Sequence, residues 1–267
     1  MKLSKSKIFK LEKLYFDCID DVGNCFIIYW AYLKIYYLKF HYSGIIFSDS
    51  NNVITEKSKF KKTSKPLINR LTYIENPCLK INGIWKGTDN PITLTLFKDA
   101  MNRELIWDCH HPKALAEIEY NNKTYKGLGY IETLFLPIKP WDLPFEELRW
   151  GRFLSDQYTI IWIYWRGENP LNKILCNSVE YNDAIFLVDR IIFDKGNYVL
   201  LFKDISTLRK GRIVNILSKP NLLKFILNRK ILNGNEIKYK ARTILSHEDN
   251  KVIASGWSLY ETVTWGK

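Results

Sequence analysis

Among the 267 residues, one acidic side chain stands out by its setting. In the run Lys126–Leu134, strand alternation puts Leu128, Tyr130, Glu132 and Leu134 on one face and Ile131 and Thr133 on the other, with Phe135 continuing the second. Glu132 is thus an acid in line with apolar and aromatic neighbours. If that face is interior, its carboxyl is desolvated and its pKa rises, and a carboxylic acid kept protonated in an apolar pocket is a proton donor, with Tyr130 beside it. The alternative is an ion pair of Glu132 with Arg149 or Arg152. A second cluster is Trp141–Phe153, read as a short non-strand region that holds Trp141, Arg149, Trp150 and Arg152. Arginine stacks on indole rings or grips an anionic group with two donors, so this cluster either orients a polar substrate head or clamps two domains together. In Tyr158–Trp165 both faces are large and apolar: Ile160, Trp162 and Tyr164 on one, Ile161, Ile163 and Trp165 on the other. Such a strand is central. Trp162 and Trp165 line a ligand cavity or, as aromatic residues in sheets more often do, simply fill the core.

Other chemistries lack their residues. In Asp108-Cys109-His110-His111 the adjacent imidazoles point to opposite faces of a strand, and no second ligand pair has metal spacing, so no metal site is expected. No Gly-x-Ser-x-Gly elbow accompanies His41, His110, His111 or His247, and neither a phosphate-binding nor a dinucleotide glycine loop is present. The 40 Lys and Arg against 28 Asp and Glu give a net charge of +12. The excess is densest at Lys57–Lys65 and at Arg209–Arg212, without any nucleic-acid motif. Solvated loop charge is the plain reading, and peripheral contact with an anionic membrane is the other partner allowed.

The elements that must position these residues are strands. Leu14–Ile19 and Cys25–Leu33 flank an Asp-Asp-Val-Gly-Asn turn. Ala116–Tyr120 and Thr124–Leu136 flank Asn121-Asn122-Lys123. Ile185–Phe193 and Tyr198–Phe202 flank Asp194–Asn197, and Glu236–Leu245 and Val252–Thr264 flank His247–Asn250. Tyr36–Phe47, Thr93–Phe97 and Leu105–Cys109 are further strands, and Lys219–Ile231 is the best helical candidate. Aromatic residues make up 15% of the chain and apolar ones 46%, which excludes disorder. The expected architecture is all-β: two antiparallel β-barrel domains packed together, over residues 8–138 and 145–267, with a proline-bearing junction at 139–144. Five cysteines without framework spacing, and a lysine-rich start without an apolar signal segment, suggest a reduced cytoplasmic protein. Cys25–Phe40, interrupted by Lys34 and Lys39, is not a spanning helix.

Gly127-Leu128-Gly129-Tyr130-Ile131-Glu132, Pro140-Trp141 and Leu148-Arg149-Trp150-Gly151-Arg152, with the opening Tyr15-Phe16-Asp17 and Asp20-Asp21-Val22-Gly23, resemble the hydroxyneurosporene synthase (carotenoid 1,2-hydratase) and AttH-like family. The resemblance covers mainly residues 14–30 and 107–167. It implies lipocalin-like barrels without a cofactor, acting on long, apolar, unsaturated substrates, and neighbours natural-product cyclases of the Diels–Alderase type. The hydratases carry approximately Tyr-His-Asp-His-Asn-Trp-Gly where this chain has Tyr130-Ile131-Glu132-Thr133-Leu134-Phe135-Leu136. The acid is kept and the flanking histidines are not, which favours cyclisation or isomerisation over hydration. The expected site is therefore Glu132 and Tyr130 for catalysis, with Trp141, Arg149, Trp150, Arg152, Trp162, Tyr164 and Trp165 around a polyene, terpenoid or polyketide-like molecule. A non-catalytic lipid or pigment carrier, and a scaffold with filled barrels, are the competing expectations.

Overall fold

A computed structural model describes residues 9–213, 233–247 and 251–265. The chain divides between Leu143 and Pro144 into two compact units. The first contains β1 (Phe9–Asp20), β2 (Cys25–Ile35), β3 (Leu38–Ser48), β4 (Ile54–Lys59), β5 (Leu71–Asn76), β6 (Ile81–Gly87), β7 (Ile92–Lys98), β8 (Glu104–Tyr120) and β9 (Lys123–Leu136). They pair antiparallel in the order β4-β3-β2-β1-β9-β8-β6-β5, with β7 also on β8. The second contains β10 (Phe145–Leu154), β11 (Thr159–Gly167), β12 (Leu171–Cys176), β13 (Val179–Tyr181), β14 (Ile185–Phe186), β15 (Arg190–Phe193), β16 (Tyr198–Arg212), β17 (Asn235–His247) and β18 (Lys251–Thr264). Their order is β13-β12-β11-β10-β18-β17-β16-β15-β14. Both sheets are curled antiparallel half-barrels, so the all-β, lipocalin-like architecture is the one the chain adopts.

Turn chemistry explains the hairpins. Gly23 takes a left-handed φ of 92° while Asp20 accepts the Asn24 amide at 2.8 Å, closing β1 onto β2. Asn121 and Asn122 sit at φ 51° and 60°, the conformation a tight β8–β9 hairpin requires and that asparagine tolerates. Each unit has its own core on one face of its sheet. In the first, Leu14, Phe16, Phe26, Trp85, Tyr120 and Ile131 belong to one buried cluster. In the second, Phe153, Ile160, Trp162, Phe193, Leu200 and Phe202 do.

Three expectations require correction. The segment Trp141–Phe153 is not irregular throughout: only Pro140–Asp142 forms a 3-10 turn, and Phe145–Leu154 is a central strand between β11 and β18. Both its faces are covered from Trp150 to Leu154, so the alternation that marks a half-exposed strand is missing, and its two arginines disguise it further. Leu105–Cys109 and Ala116–Tyr120 belong to one 17-residue strand, bent by register shifts at Cys109, His111 and Ala114. Ile185–Phe193 is not one strand but β14 and β15 paired with each other, because the Leu187 amide turns back to the Arg190 carbonyl at 2.9 Å. The helical candidate Lys219–Ile231 lies outside the described residues.

Candidate functional site

Register decides which side chains meet. In β1 the core takes Leu14, Phe16 and Cys18, so Tyr15 and Asp17 occupy the reverse face. Tyr15 stands opposite Glu132 on β9 and Tyr29 on β2, Asp17 opposite Tyr130, and Glu132 opposite Cys109 on β8. Glu132 therefore does not project into the first unit's core cluster, to which its neighbour Ile131 belongs; it projects from the other face of the same sheet. It is nonetheless only 5% exposed, and Tyr130 and Cys109 are completely buried.

The carboxyl is held from two sides. The Tyr130 hydroxyl donates to Glu132 Oε2 at 2.8 Å, and the Trp107 indole N–H donates to the same oxygen. Burial raises the Glu132 pKa; Lys13, Trp107 and Tyr130 pull it down without reversing that direction, and Asp17 adds to the rise. Burial also pushes the Tyr130 phenol and the Cys109 thiol well up, so both stay protonated. Tyr15 packs edge-on against Tyr130 at 6.0 Å and Tyr29 at 5.6 Å. Both donors converge on Oε2, which orients the carboxyl and leaves Oε1 as the oxygen free to carry a proton. The sequence alone does not reveal Trp107 or Cys109 as its neighbours: alternation in Leu105–Cys109 was legible, but the register of β8 against β9 was not.

His110 and His111 both face the other way, because the register shift after Cys109 breaks the alternation that was expected to set them on opposite faces. His111 stands opposite Ile131 and bonds Thr72 Oγ1 through Nε2 at 3.2 Å; His110 Nε2 meets Thr133 Oγ1 at 2.8 Å. Burial lowers both imidazole pKa values, so they are neutral near pH 7. The sheet separates them from Glu132, so acid and imidazole do not converge on one substrate atom. Among the described residues, no group of three or more His, Cys, Asp and Glu side chains is placed to hold a metal ion.

The remaining site candidates fall in three places. Trp141 lies in the 3-10 turn, half-buried, with Phe9 edge-on at 6.1 Å and the Lys139 ammonium 5.8 Å from its ring. In the second unit, β10 and β11 sort the others by face. Arg149, Trp162 and Tyr164 lie on the core side, where Arg149 stands opposite Tyr164 and Gly151 opposite Trp162. Trp150, Arg152 and Trp165 lie on the reverse side, all buried. There Arg152 donates to the Trp257 carbonyl at 3.0 Å, the Trp165 N–H to the Asn169 carbonyl at 2.5 Å, and Lys238 joins Glu236 (3.1 Å) and Glu261. Arg149 is bonded through Nε to Glu147 at 2.7 Å.

On the core side of the second sheet lies a cavity of about 330 Å³ lined by Arg149, Trp162, Phe202, Tyr239, Tyr260 and Thr262, among others. Gly151 lets two of its lining rings approach the strand: a Cβ there would meet Trp162 Cζ2 at 2.3 Å and Tyr260 Cβ at 2.4 Å. Without one, the two aromatic residues pack from either side across β10.

The fold and this pair of features place the chain among two-unit, lipocalin-like β-proteins. No family model matches it, and no curated protein matches it by sequence. Solved structures do share its fold. Kievitone hydratase from Nectria haematococca superposes with a TM-score of 0.57 at 8% identity, covering 100% of this chain and 93% of that one. CghA with Sch210972 gives 0.58 at 10% identity, covering 96% and 88%. A putative AttH from Nitrosomonas europaea gives 0.56 at 8% identity, covering 97% and 93%.

Proposed function

We propose that this protein is a cofactor-independent enzyme that cyclises, isomerises or hydrates a hydrophobic, polyunsaturated natural-product intermediate, with Glu132 as its proton donor. The observation that carries the reading is the buried Glu132 carboxyl, raised in pKa and fixed through Oε2 by Tyr130 and Trp107. Protonation of an alkene or a conjugated carbonyl needs an acid that remains protonated at neutral pH and is shielded from water. Glu132 Oε1 supplies the proton and the two donors on Oε2 stabilise the carboxylate left behind. The fold is shared with a protein named as a hydratase and with one whose structure holds Sch210972, which supports this kind of chemistry and bulky organic ligands. Between the reaction types, the separation of Glu132 from His110 and His111 favours cyclisation or isomerisation, since no imidazole stands on the acid's face to activate water. Trp141, Trp150, Arg152 and Trp165 remain proposed substrate contacts, whereas Arg149, Trp162 and Tyr164 lie on the opposite face of the second sheet, where Arg149 and Trp162 line its cavity.

The test begins with mass spectrometry of small molecules extracted from the purified protein, followed by incubation with the identified compound or its unsaturated precursor. Conversion that falls at least about tenfold in Glu132→Gln, with the β-sheet circular dichroism unchanged, supports the acid role. Unchanged conversion in that variant removes it. The second reading, a carrier of lipid or pigment, is favoured by the second unit's cavity, which contains no residue of the Glu132 cluster. An extracted ligand returned unaltered after prolonged incubation with the protein selects the carrier.

A further inference from the structure

The cavity of the second unit has three chemically distinct parts, and Glu261, ion-paired with Lys238, also belongs to its lining. Its floor is a ladder of rings: Tyr239 stacks on Tyr260 at 4.9 Å and 24°, Tyr260 on Phe202 at 4.7 Å and 19°, and Trp162 follows Phe202 at 5.8 Å. Burial raises the Tyr260 phenol pKa, so the ladder is neutral there. One wall is the Arg149 guanidinium, directly across β10 and β18 from Thr262. The rim is apolar and open to solvent: Leu187, Val188 and Ile205 all line the cavity and are exposed, Val188 at 94%.

These parts specify a ligand. Rings stacked 4.7–4.9 Å apart cover one another's faces and leave a continuous aromatic lining, against which an aromatic or conjugated skeleton packs edge-on better than a flexible chain does. Arg149 spends Nε on Glu147 and one Nη on the Phe186 carbonyl at 3.4 Å, a long contact, and among the described residues its second Nη carries no bond. Arg149 is ion-paired with Glu147, a carboxylate it shares with Arg166, and its second Nη is left to meet a carboxylate or enolate on the ligand's edge. An apolar rim that protein leaves in water is stabilised when such a skeleton covers it. At interior packing density, 330 Å³ holds roughly 15 non-hydrogen atoms. We propose that the second unit contains a binding site for a flat, conjugated organic acid of that size, lying on the Tyr239–Tyr260–Phe202 ladder with its acid group on Arg149. All lining residues belong to the second unit and none to the Glu132 cluster, so the site stands whether or not Glu132 acts as an acid.

Binding of a defined probe tests the site without any turnover measurement, so its failure is separate from failure of the enzymatic reading. The full-length protein is titrated with 2-naphthoate and with its neutral relative 2-acetonaphthone, following quenching of tryptophan fluorescence. Naphthoate is expected to bind at least about tenfold more tightly than the ketone. Arg149→Gln should remove that preference and leave the ketone's affinity in place. Thr262→Trp, which fills the cavity from the strand opposite Arg149, should abolish both, and unfolding midpoints of both variants near wild type establish that they are folded. If either variant unfolds, protection of Tyr260 and Phe202 ring resonances by naphthoate in the wild-type NMR spectrum replaces it. Absence of naphthoate binding at about 1 mM, equal affinity for acid and ketone, naphthoate binding that survives both substitutions, or bound naphthoate that leaves those ring resonances unmoved overturns the proposal.

Discussion

At residue scale, the Glu132 carboxyl governs what the first unit can do. Its pKa is raised from a reference of 4.5 because burial penalises the charged form more than Lys13, Trp107 and Tyr130 favour it. A group whose pKa is higher in the folded state stabilises the fold below its unfolded pKa, and that contribution is lost as pH rises through the folded value. Wild-type protein should therefore lose thermal stability relative to Glu132→Gln as pH is raised from about 4.5 through neutrality; a melting-temperature gap that stays constant over that range would contradict the assignment. Tyr130→Phe gives a second, independent sign. The Tyr130 hydroxyl favours the carboxylate by donating to it, so its removal should move the basic limb of the pH–rate profile to higher pH, at a stability cost of about 1 kcal/mol. A limb that moves down, or does not move, would mean that Glu132 is not the titrating acid. Glu132 and Tyr130 were legible from alternation within one strand. Trp107 and Cys109 were not, because they arrive from β8 through a register that two bulges set, and bulges leave no reliable mark in a single sequence.

At element scale, β10 shows how close approach can replace side-chain bulk. Gly151 has no room for a Cβ between Trp162 and Tyr260, so Gly151→Ala should force those rings apart, disturb the ladder of Tyr239, Tyr260 and Phe202, and cost about 1–3 kcal/mol. The urea midpoint measures it, and an unchanged midpoint with unchanged near-ultraviolet circular dichroism would show that the backbone yields instead. The same strand marks where sequence reading stopped. Hairpins with Gly23 or Asn121-Asn122 announce themselves because a positive φ demands particular residues. A strand covered on both faces, carrying a fully buried Arg152 that donates to a main-chain carbonyl, offers neither alternation nor a turn signal. Reading it as irregular also merged its two faces, so Arg149 and Arg152 looked like one clamp. They serve opposite sides of the sheet, and only Arg149 reaches the cavity.

At the scale of the whole molecule, charge and its placement matter more than its sum. The two basic places in the sequence differ once folded. Arg209 is committed to Glu236 at 2.5 Å, which leaves Lys210 and Arg212 as the exposed charges of the second place. Lys57, Lys59, Lys61, Lys62 and Lys65 are all exposed, on the edge strand β4 and the chain that follows it. Lys65 is paired with Glu12 and Lys57 lies over the Tyr120 ring, so Lys59, Lys61 and Lys62 are the lysines best able to meet an anionic surface. No helix among the described residues is long and apolar enough to cross a membrane. Attachment through these lysines would be electrostatic because their ammonium groups are what meets the surface. Each lysine near an anionic bilayer contributes about 1 kcal/mol, and salt screens it. The full chain should therefore sediment with phosphatidylglycerol-containing vesicles at low ionic strength, stay in solution with phosphatidylcholine vesicles, and be released by about 0.5 M salt, where the screening length drops well below that of physiological solution. Reversal of Lys59, Lys61 and Lys62 to glutamate changes the net charge by six units while touching no residue of the Glu132 cluster or of the aromatic cavity, so binding should vanish with the fold and the naphthoate affinity intact. Sedimentation that survives either high salt or the triple reversal would place the membrane contact elsewhere, and none at low salt would leave these lysines as solvated charge on a sheet edge, where they still discourage edge-to-edge pairing of one chain with another.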